Sequence, residues 1–537
     1  MKWSIVFAAA CLVTVRLVAL DGQPNLHDPS TVIAENGKYY VYATGNGLPV
    51  SMSDDGWTWR RAGGVMQAVA GGKPGPDVIA RGGNNTWAPD VIRVGDKYFL
   101  YYAAPGTQPK AAIGLLVGRT LDPASPDYKW EDAGPVVWSD GVEDSNAIDP
   151  GVFHDPTNGT LWLTYGSYFG YIRLVELNPK TGTRLYPDRK PVNVAINSEA
   201  SIMIFHDGWY YLLVTHGSCC AGANSTYNIR MGRAKKVSGP FLDNMGVDML
   251  QGGGKLFLGS GGRYVGPGHF GLLDLGDGVQ KFSCHYEADL DRGGASVLDI
   301  RPLLWRDGWP VAGENVTAGT YEIESVRTGT ALELAVQGSP VGGFRGRGGR
   351  GAPGAGGPPP GRGAPPDAAG RGAPPDAAGR GAPPDAGRGA PGAVDAPPPA
   401  PIPPQEAAQV SANWPAGPLD ARLAPYLLEA QQKWTITSVA DAGGYPGSPF
   451  FKITIAGTER ALAATGEREL VVLPSFTNAP EQLWRIDQLA DGTYRVMPKV
   501  VPTSKEPLAL SAVGSSMPTL AKFSPESDRQ RWNLRMP

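Results

Sequence analysis

Four carboxylates stand at comparable places along the first half of the chain: Asp28 in HDPS, Asp90 in WAPDV, Asp149 in AIDPGVF and Glu199 in SEAS. They are separated by 62, 59 and 50 residues, and each heads a short apolar run. Carboxyl groups gathered in one place can move protons, because surroundings hold one protonated while another stays ionised. Glu199 poses the question most sharply, since it heads the strongly apolar, aromatic stretch from Asn197 to Gly222. One such acid could be a salt-bridge partner or an exposed strand end. Four in a repeated register point to a shared site. A further unit, GPGHFGLL to QKFSCHYEA, carries His269 near its head.

What could bring residues so far apart together? Aromatic, alternating runs begin at Lys38, Lys97, Thr160 and Trp209, each after a polar hairpin: ENG, VGD, DPTNG and HDG. These are strand and turn signals, and residues 21–310 show almost no helix signal. Five units of roughly four strands at a period near 60 residues predict a β-propeller. The innermost strands of a propeller line a central channel, so their heads meet at one end of it. Asp28 and Glu199, 171 residues apart, would then belong to one cluster.

Composition narrows the partners. The formal net charge is −3 and charged residues are 18% of the 537, which gives no reason to expect nucleic acid or an anionic membrane. Fourteen Trp and twenty Tyr suit a ligand with flat apolar faces, such as a sugar ring. Residues 1–20 read as an export signal: Lys2, the apolar WSIVFAAACLVTV, Arg16 and LVAL, then polar sequence. No other stretch could span a membrane. Cys219, Cys220 and Cys284 remain after removal of the signal. They form no disulfide framework or zinc spacing, and the adjacent pair is expected to pack as small apolar side chains rather than to form a vicinal disulfide.

Beyond residue 310 the texture changes. QKW, QLW and QRW recur with Gln432, Gln482 and Gln530, at intervals of 50 and 48 residues. GTYEIES from Gly319 and GTYRVMP from Gly492 read as repeat openings, 113 and 38 residues before the next such Gln. The excess of 75 is accounted for by a Gly/Pro/Ala tract at about 338–409, with GRGAPPDA in tandem from Gly361, Gly370 and Gly379. Such a tract cannot bury enough apolar surface to offset its ordering entropy. It is therefore read as a disordered insertion within the first repeat. Its RGRGGRG is diluted by Asp367, Asp376 and Asp385, against an RNA role.

Across 21–310 the chain resembles the glycoside hydrolase family 43 arabinanases. The matching motifs, in order, are HDPS, WAPDV, AIDPGVF, TYGSYFGYI, SEAS, CCAGANSTYNIRMGRA, SGPF, GPGH and HYEAD. The resemblance implies a five-bladed propeller that cleaves α-1,5-linked arabinofuranose chains with inversion. It implies Asp28 as general base, Glu199 as general acid and Asp149 as the residue that orients the acid and tunes its pKa. Inversion would place the two working carboxyl groups about 6.5–9.5 Å apart. His27, Trp87, Ser167 and His269 are expected around the sugar, with His216 as a further pocket residue and Asp90 in a structural or rim role. A calcium-like ion is expected near His285. Related enzymes commonly have Pro two positions after the acid, where this chain has Ser201.

The C-terminal segment, 311–537, resembles the ricin B-type β-trefoil through its three QxW motifs. Sugar-binding repeats of such lectins often place Asp where this chain is read as having Glu333, Ala463 and Ala509. The whole is thus expected to be all-β: a five-bladed propeller followed by a β-trefoil. The expected protein is secreted or periplasmic and acts on arabinan or pectin side chains, with no nucleic-acid or membrane partner. The rival readings are an exo-acting α-L-arabinofuranosidase or β-xylosidase, and a non-catalytic carbohydrate-binding propeller, whose acids would be scattered.

Overall fold

Asn36–Gly37, Asp207–Gly208 and Asp307–Gly308 all have left-handed backbone, with φ of 51° and 80°, 46° and 74°, and 52° and 69°. That pair of conformations is what a two-residue hairpin requires, and Asn-Gly and Asp-Gly adopt it at least cost. These turns join Ile33–Glu35 to Lys38–Tyr42, Glu199–His206 to Trp209–His216, and Ala295–Arg306 to Trp309–Ala312. In this computed structural model, which describes residues 20–142, 145–336, 411–466 and 469–537, the N-terminal region consists of five antiparallel sheets. One has five strands and four have four strands each. The extra strand is Asp21–Gly22, parallel to Thr58–Gly64.

The sheets are the blades of a five-bladed β-propeller. Their inner strands are Ile33–Glu35, Trp87–Val94, Gly151–His154, Glu199–His206 and Tyr264–Asp274. A separate apolar core lies between each pair of neighbouring blades. Tyr42 and Leu100 lie in the first, Tyr101 and Leu163 in the second, Leu174 and Leu212 in the third, and Tyr211 and Phe282 in the fourth. The fifth core closes the ring by packing Trp59 on Ile300 and Leu298. Each such buried side chain contributes about 1.5–3 kcal/mol. Alternate residues of one strand serve opposite neighbours, as Tyr101 and Tyr102 do, so every blade wedges its two neighbours in place. Below the strand heads the channel holds a cavity of about 410 Å³ lined by Val91, Val152, Ile202 and Leu272.

The last strand of the fifth blade, Trp309–Ala312, runs two residues past the expected boundary at 310. Leu20, assigned above to the export segment, is buried in the closing core. The remainder of that segment and the insertion at about 338–409 lie outside the described residues.

The C-terminal region is a ten-stranded sheet with two accessory hairpins. Trp434, Trp484 and Trp532 are fully buried in its core. Their indoles donate to the carbonyls of Leu332, Leu462 and Leu510 at 2.7, 3.0 and 3.0 Å. This region meets the propeller through backbone bonds, including Trp305 N to Ala490 O at 2.8 Å and Ala490 N to Gly278 O at 2.9 Å.

Candidate active site

At the head of each inner strand one residue other than glycine takes up left-handed backbone: Asp28, Ala88, Asp149, Ala200 and His269, with φ of 47°, 37°, 55°, 48° and 54°. In three blades the ladder shows an extra residue here, in the steps Trp87/Asp90, Glu199/Ile202 and Gly268/Gly271. A bulge of this kind re-aims side chains, and such a conformation is uncommon for residues other than glycine. The equivalent residues therefore differ from the four-acid register read in the sequence. Glu199 stands one position before the left-handed residue of its blade, and Asp90 two after. Pro29, Pro89 and Pro150 share a position with Ser201, whose buried hydroxyl has no partner. The Ser201 carbonyl packs directly on Gly151, where a Cβ would lie 1.9 Å from its oxygen, so only glycine admits this approach.

Asp28 is the most heavily supported acid. Its Oδ2 accepts from the Thr44 hydroxyl at 2.7 Å and faces His27 Nδ1 at 2.9 Å, while Oδ1 lies 3.2 Å from His269 Nδ1. Thr44 Oγ1 also accepts from Ala88 N at 2.8 Å, tying the second blade to this acid. Burial alone would raise the Asp28 pKa, but His269 and His27 outweigh it and hold the carboxyl well below its ordinary range. An ionised carboxylate is the form that accepts a proton.

Asp149 and Glu199 are shifted the other way. Burial, with the charges of Glu199 and Asp28, pushes Asp149 up to about 8. Its Oδ2 accepts from Ala200 N at 3.1 Å, so Asp149 grips the backbone beside Glu199. Glu199 is also raised, mainly by burial, against the pull of hydroxyl donors. Ser167 Oγ donates to Glu199 Oε2 at 2.8 Å, and the Tyr227 hydroxyl donates to Oε1. A hydroxyl can turn and accept when the carboxyl is protonated, so these partners orient Glu199 in either state. Ser167, expected at the sugar, is thus first a partner of the acid.

The histidines gather around Asp28. His27 bridges two carboxylates, with Nε2 3.0 Å from Glu287 Oε1, and is pushed up to about 10: burial opposes the shift and the bonds to Asp28 and Glu287 drive it. His285 stacks on His27, ring centres 4.7 Å apart. His285 Nδ1 accepts from Asp28 N at 3.0 Å, which puts the proton of a neutral ring on Nε2, 3.5 Å from Glu287 Oε1. His27, His285 and Glu287, and likewise Asp28, His269 and His285, have possible ligand atoms within 4.8 Å of one another. Each set holds one carboxylate and two imidazoles, and a hard cation favours oxygen, so a cation beside His285 would rest on the Asp28 carboxylate and on water, with His269 and His285 completing the set.

Of the other expected residues, Trp87 is half-buried one position before Ala88. Asp90 is structural: it accepts from Thr31 N at 3.0 Å and Val152 N at 2.8 Å, joining three inner strands. His216 pairs its carbonyl with Asn228 Nδ2 at 3.0 Å and stays outside the histidine cluster. Cys219 and Cys220 are joined in a disulfide rather than packed as apolar thiols; neither is buried, and Cys220 is exposed. Thr44, Tyr227 and Glu287 were not singled out from the sequence, although STY and HYEAD contain the last two. In the C-terminal region the indole bond to Leu510 shows that Ser511, not Ala509, is equivalent to Glu333 and Ala463. All three positions are buried, and the Glu333 carboxylate is engaged by Arg422 and Gln432.

A model of the glycosyl hydrolases family 43 matches residues 23–310. The extracellular exo-α-(1→5)-L-arabinofuranosidase ArbA of Cellvibrio japonicus is 33% identical over 330 residues, 57% of this chain and 92% of that protein. The extracellular endo-α-(1→5)-L-arabinanase 1 of Bacillus subtilis is 33% identical over 293 residues, 53% of this chain and 87% of that protein. Among solved structures, an exo-1,5-α-L-arabinanase from a bovine ruminal metagenomic library is 35% identical. It covers 55% of this chain and 100% of that chain, with a TM-score of 0.48.

Proposed function

The chain belongs to glycosyl hydrolase family 43, and from that premise we propose that it is a secreted enzyme that hydrolyses α-1,5-linked arabinan with inversion. The observation that carries the reading is the opposed titration of carboxyl groups in one cluster: Asp28 held ionised, Asp149 and Glu199 held toward the protonated form. Hydrolysis of a glycosidic bond needs that pair of states at once. The protein is a glycoside hydrolase, and the extracellular names of its relatives support export.

In the proposed reaction a water enters between Asp28 and the anomeric carbon. Asp28 takes its proton as the water oxygen bonds to that carbon. The bond from the anomeric carbon to the leaving oxygen breaks, and Glu199 donates its proton to that oxygen. Burial and the charge of Asp28 keep Glu199 protonated, and Asp149 holds the backbone at Ala200 in place. His27, Trp87 and His269 are the proposed sugar-facing residues, with Ser167 acting through Glu199; Tyr168 and Phe169, exposed beside Ser167, offer further ring faces. A calcium-like ion near His285, beside the Asp28 carboxylate and His269, would supply positive charge that favours the ionised base. Chelation should then lower the melting temperature and added calcium restore it.

The C-terminal region is proposed to be a β-trefoil, on the strength of three equivalent Trp–Leu bonds. We assign it no sugar site, because the usual ligand positions are buried. Digestion of linear arabinan tests the function. Release of β-configured product seen by NMR supports inversion, and early short oligomers mark endo action where monomer alone marks exo. No cleavage of arabinan would overturn the substrate.

A further inference from the structure

One loop touches one arm of the proposed catalytic pair directly and reaches the other through two further residues. It leaves the fourth blade at Gly217 and returns at Tyr227, and its two ends are laced together. Ser218 N donates to Thr226 Oγ1 at 2.9 Å, Thr226 N to Ser218 O at 3.2 Å, and Ser225 Oγ to Ser218 O at 2.7 Å. At its returning end the Tyr227 hydroxyl donates to Glu199. At its leading end Cys220 N donates to Glu287 Oε2 at 3.1 Å. Glu287, 4% exposed, passes the contact on: its Oε1 meets His27 Nε2 at 3.0 Å, and His27 Nδ1 meets Asp28 Oδ2 at 2.9 Å.

The Cys220 amide is aimed by an uncommon backbone, with φ of 63°, a conformation that costs a side-chain-bearing residue of order 1–3 kcal/mol unless its surroundings enforce it. What enforces it is covalent: the Cys219–Cys220 disulfide closes a small ring around that peptide. As free thiols the two residues would relax, and the amide would leave Glu287. We propose that the Cys219–Cys220 disulfide is a positioning element for catalysis, setting Asp28 through Glu287 and His27, and that its reduction lowers turnover. This rests on the assignment of Asp28 as base and Glu199 as acid.

Cys220 is exposed, so a small dithiol can reach the bond. In the step, the dithiol gives two electrons and two protons, the S–S bond breaks to leave two cysteine thiols, and the dithiol closes to its own cyclic disulfide. The effect should fall on turnover more than on substrate binding, because a base displaced by a fraction of an ångström still lies beside bound sugar.

The test compares native enzyme, dithiol-treated enzyme, Cys219→Ser/Cys220→Ser and Glu287→Gln, all at saturating calcium. Substrates are linear arabinan and a dinitrophenyl arabinofuranoside, whose leaving group needs no acid. The proposal expects about a 10-fold fall in kcat with KM within twofold on both substrates, and recovery when the dithiol is removed under air. Tyr227→Phe serves as the contrast: its loss should appear on arabinan and disappear on the activated glycoside. Full activity of the reduced native chain, with two thiols counted by mass, overturns the proposal. So does a loss confined to KM. Native enzyme inactive on arabinan would sink the substrate assignment instead, and leave the activated glycoside to judge the loop.

Discussion

Asp28, Ala88, Asp149, Ala200 and His269 share one backbone conformation and one place in their blades, yet no two adjacent blades carry the same side chain there. Trp434, Trp484 and Trp532 also share one place in three repeats, and there the chemistry is the same each time: a buried indole bonded to a leucine carbonyl. In the propeller the repeated backbone is a mount, and the side chains on it have diverged into the proposed base, the proposed orienting acid and a histidine. In the C-terminal region the repeated side chain is itself the core. Repetition of backbone leaves room for function. Repetition of a packed side chain, with its neighbours filled in around it, leaves little.

That contrast can be broken by substitution. The largest effects should come from the mount and the residue beside it: Asp28→Asn and Glu199→Gln are each expected to lower kcat on arabinan by about 10²–10⁴-fold, with melting temperature little changed. If either retains near-native turnover on substrates with poor leaving groups, the roles assigned at the mouth are wrong. Trp484→Ala should do the reverse. It is expected to cost about 3–5 kcal/mol of stability by opening a cavity, read as a lower melting temperature, while kcat of the folded fraction holds.

A finer effect concerns pH. The acid limb of kcat/KM should follow Asp28, below the ordinary carboxylate range, and the alkaline limb should follow the raised Glu199. Activity is lost below the first as the base gains a proton and above the second as the acid loses one. Ser167→Ala removes a bond that favours ionised Glu199, so its alkaline limb should move to higher pH. Movement to lower pH would contradict the assignment. The smallest effect is expected at Ser201→Ala, which removes a buried, unpartnered hydroxyl from the position where three blades have Pro. Stability should rise by at most about 1 kcal/mol.

Much of this was legible beforehand. The hairpin pairs Asn36–Gly37 and Asp207–Gly208 announce their turns, because few other residues adopt both conformations cheaply. That Asp28, Asp149 and Glu199 meet in one cluster was legible through motif order. The register of the four acids was not: a bulge adds one residue at the strand head, and period-two alternation hides it. Nor were the partners. Glu287 meets His27 across 260 residues of sequence, and nothing local distinguishes it from a surface acid. The state of Cys219 and Cys220 was read wrongly because adjacency says nothing of exposure, and here the loop places the pair at the surface.

The sequence by itself determined the strands, their turns, the family of motifs and which acids meet in one cluster, since these depend on local conformational preference and residue chemistry. Only the tertiary structure decided which carboxyl is ionised and which is held protonated. Asp28 and Asp149 are the same residue type, each followed by Pro, and burial raises both. Their pKa values part because His27 and His269 bond to Asp28 and outweigh burial there, while on Asp149 the charges of Glu199 and Asp28 add to burial and the more distant His269 only partly opposes them. A side chain's charge is set by what the fold brings within a few ångströms of it, and that neighbourhood is assembled from every blade.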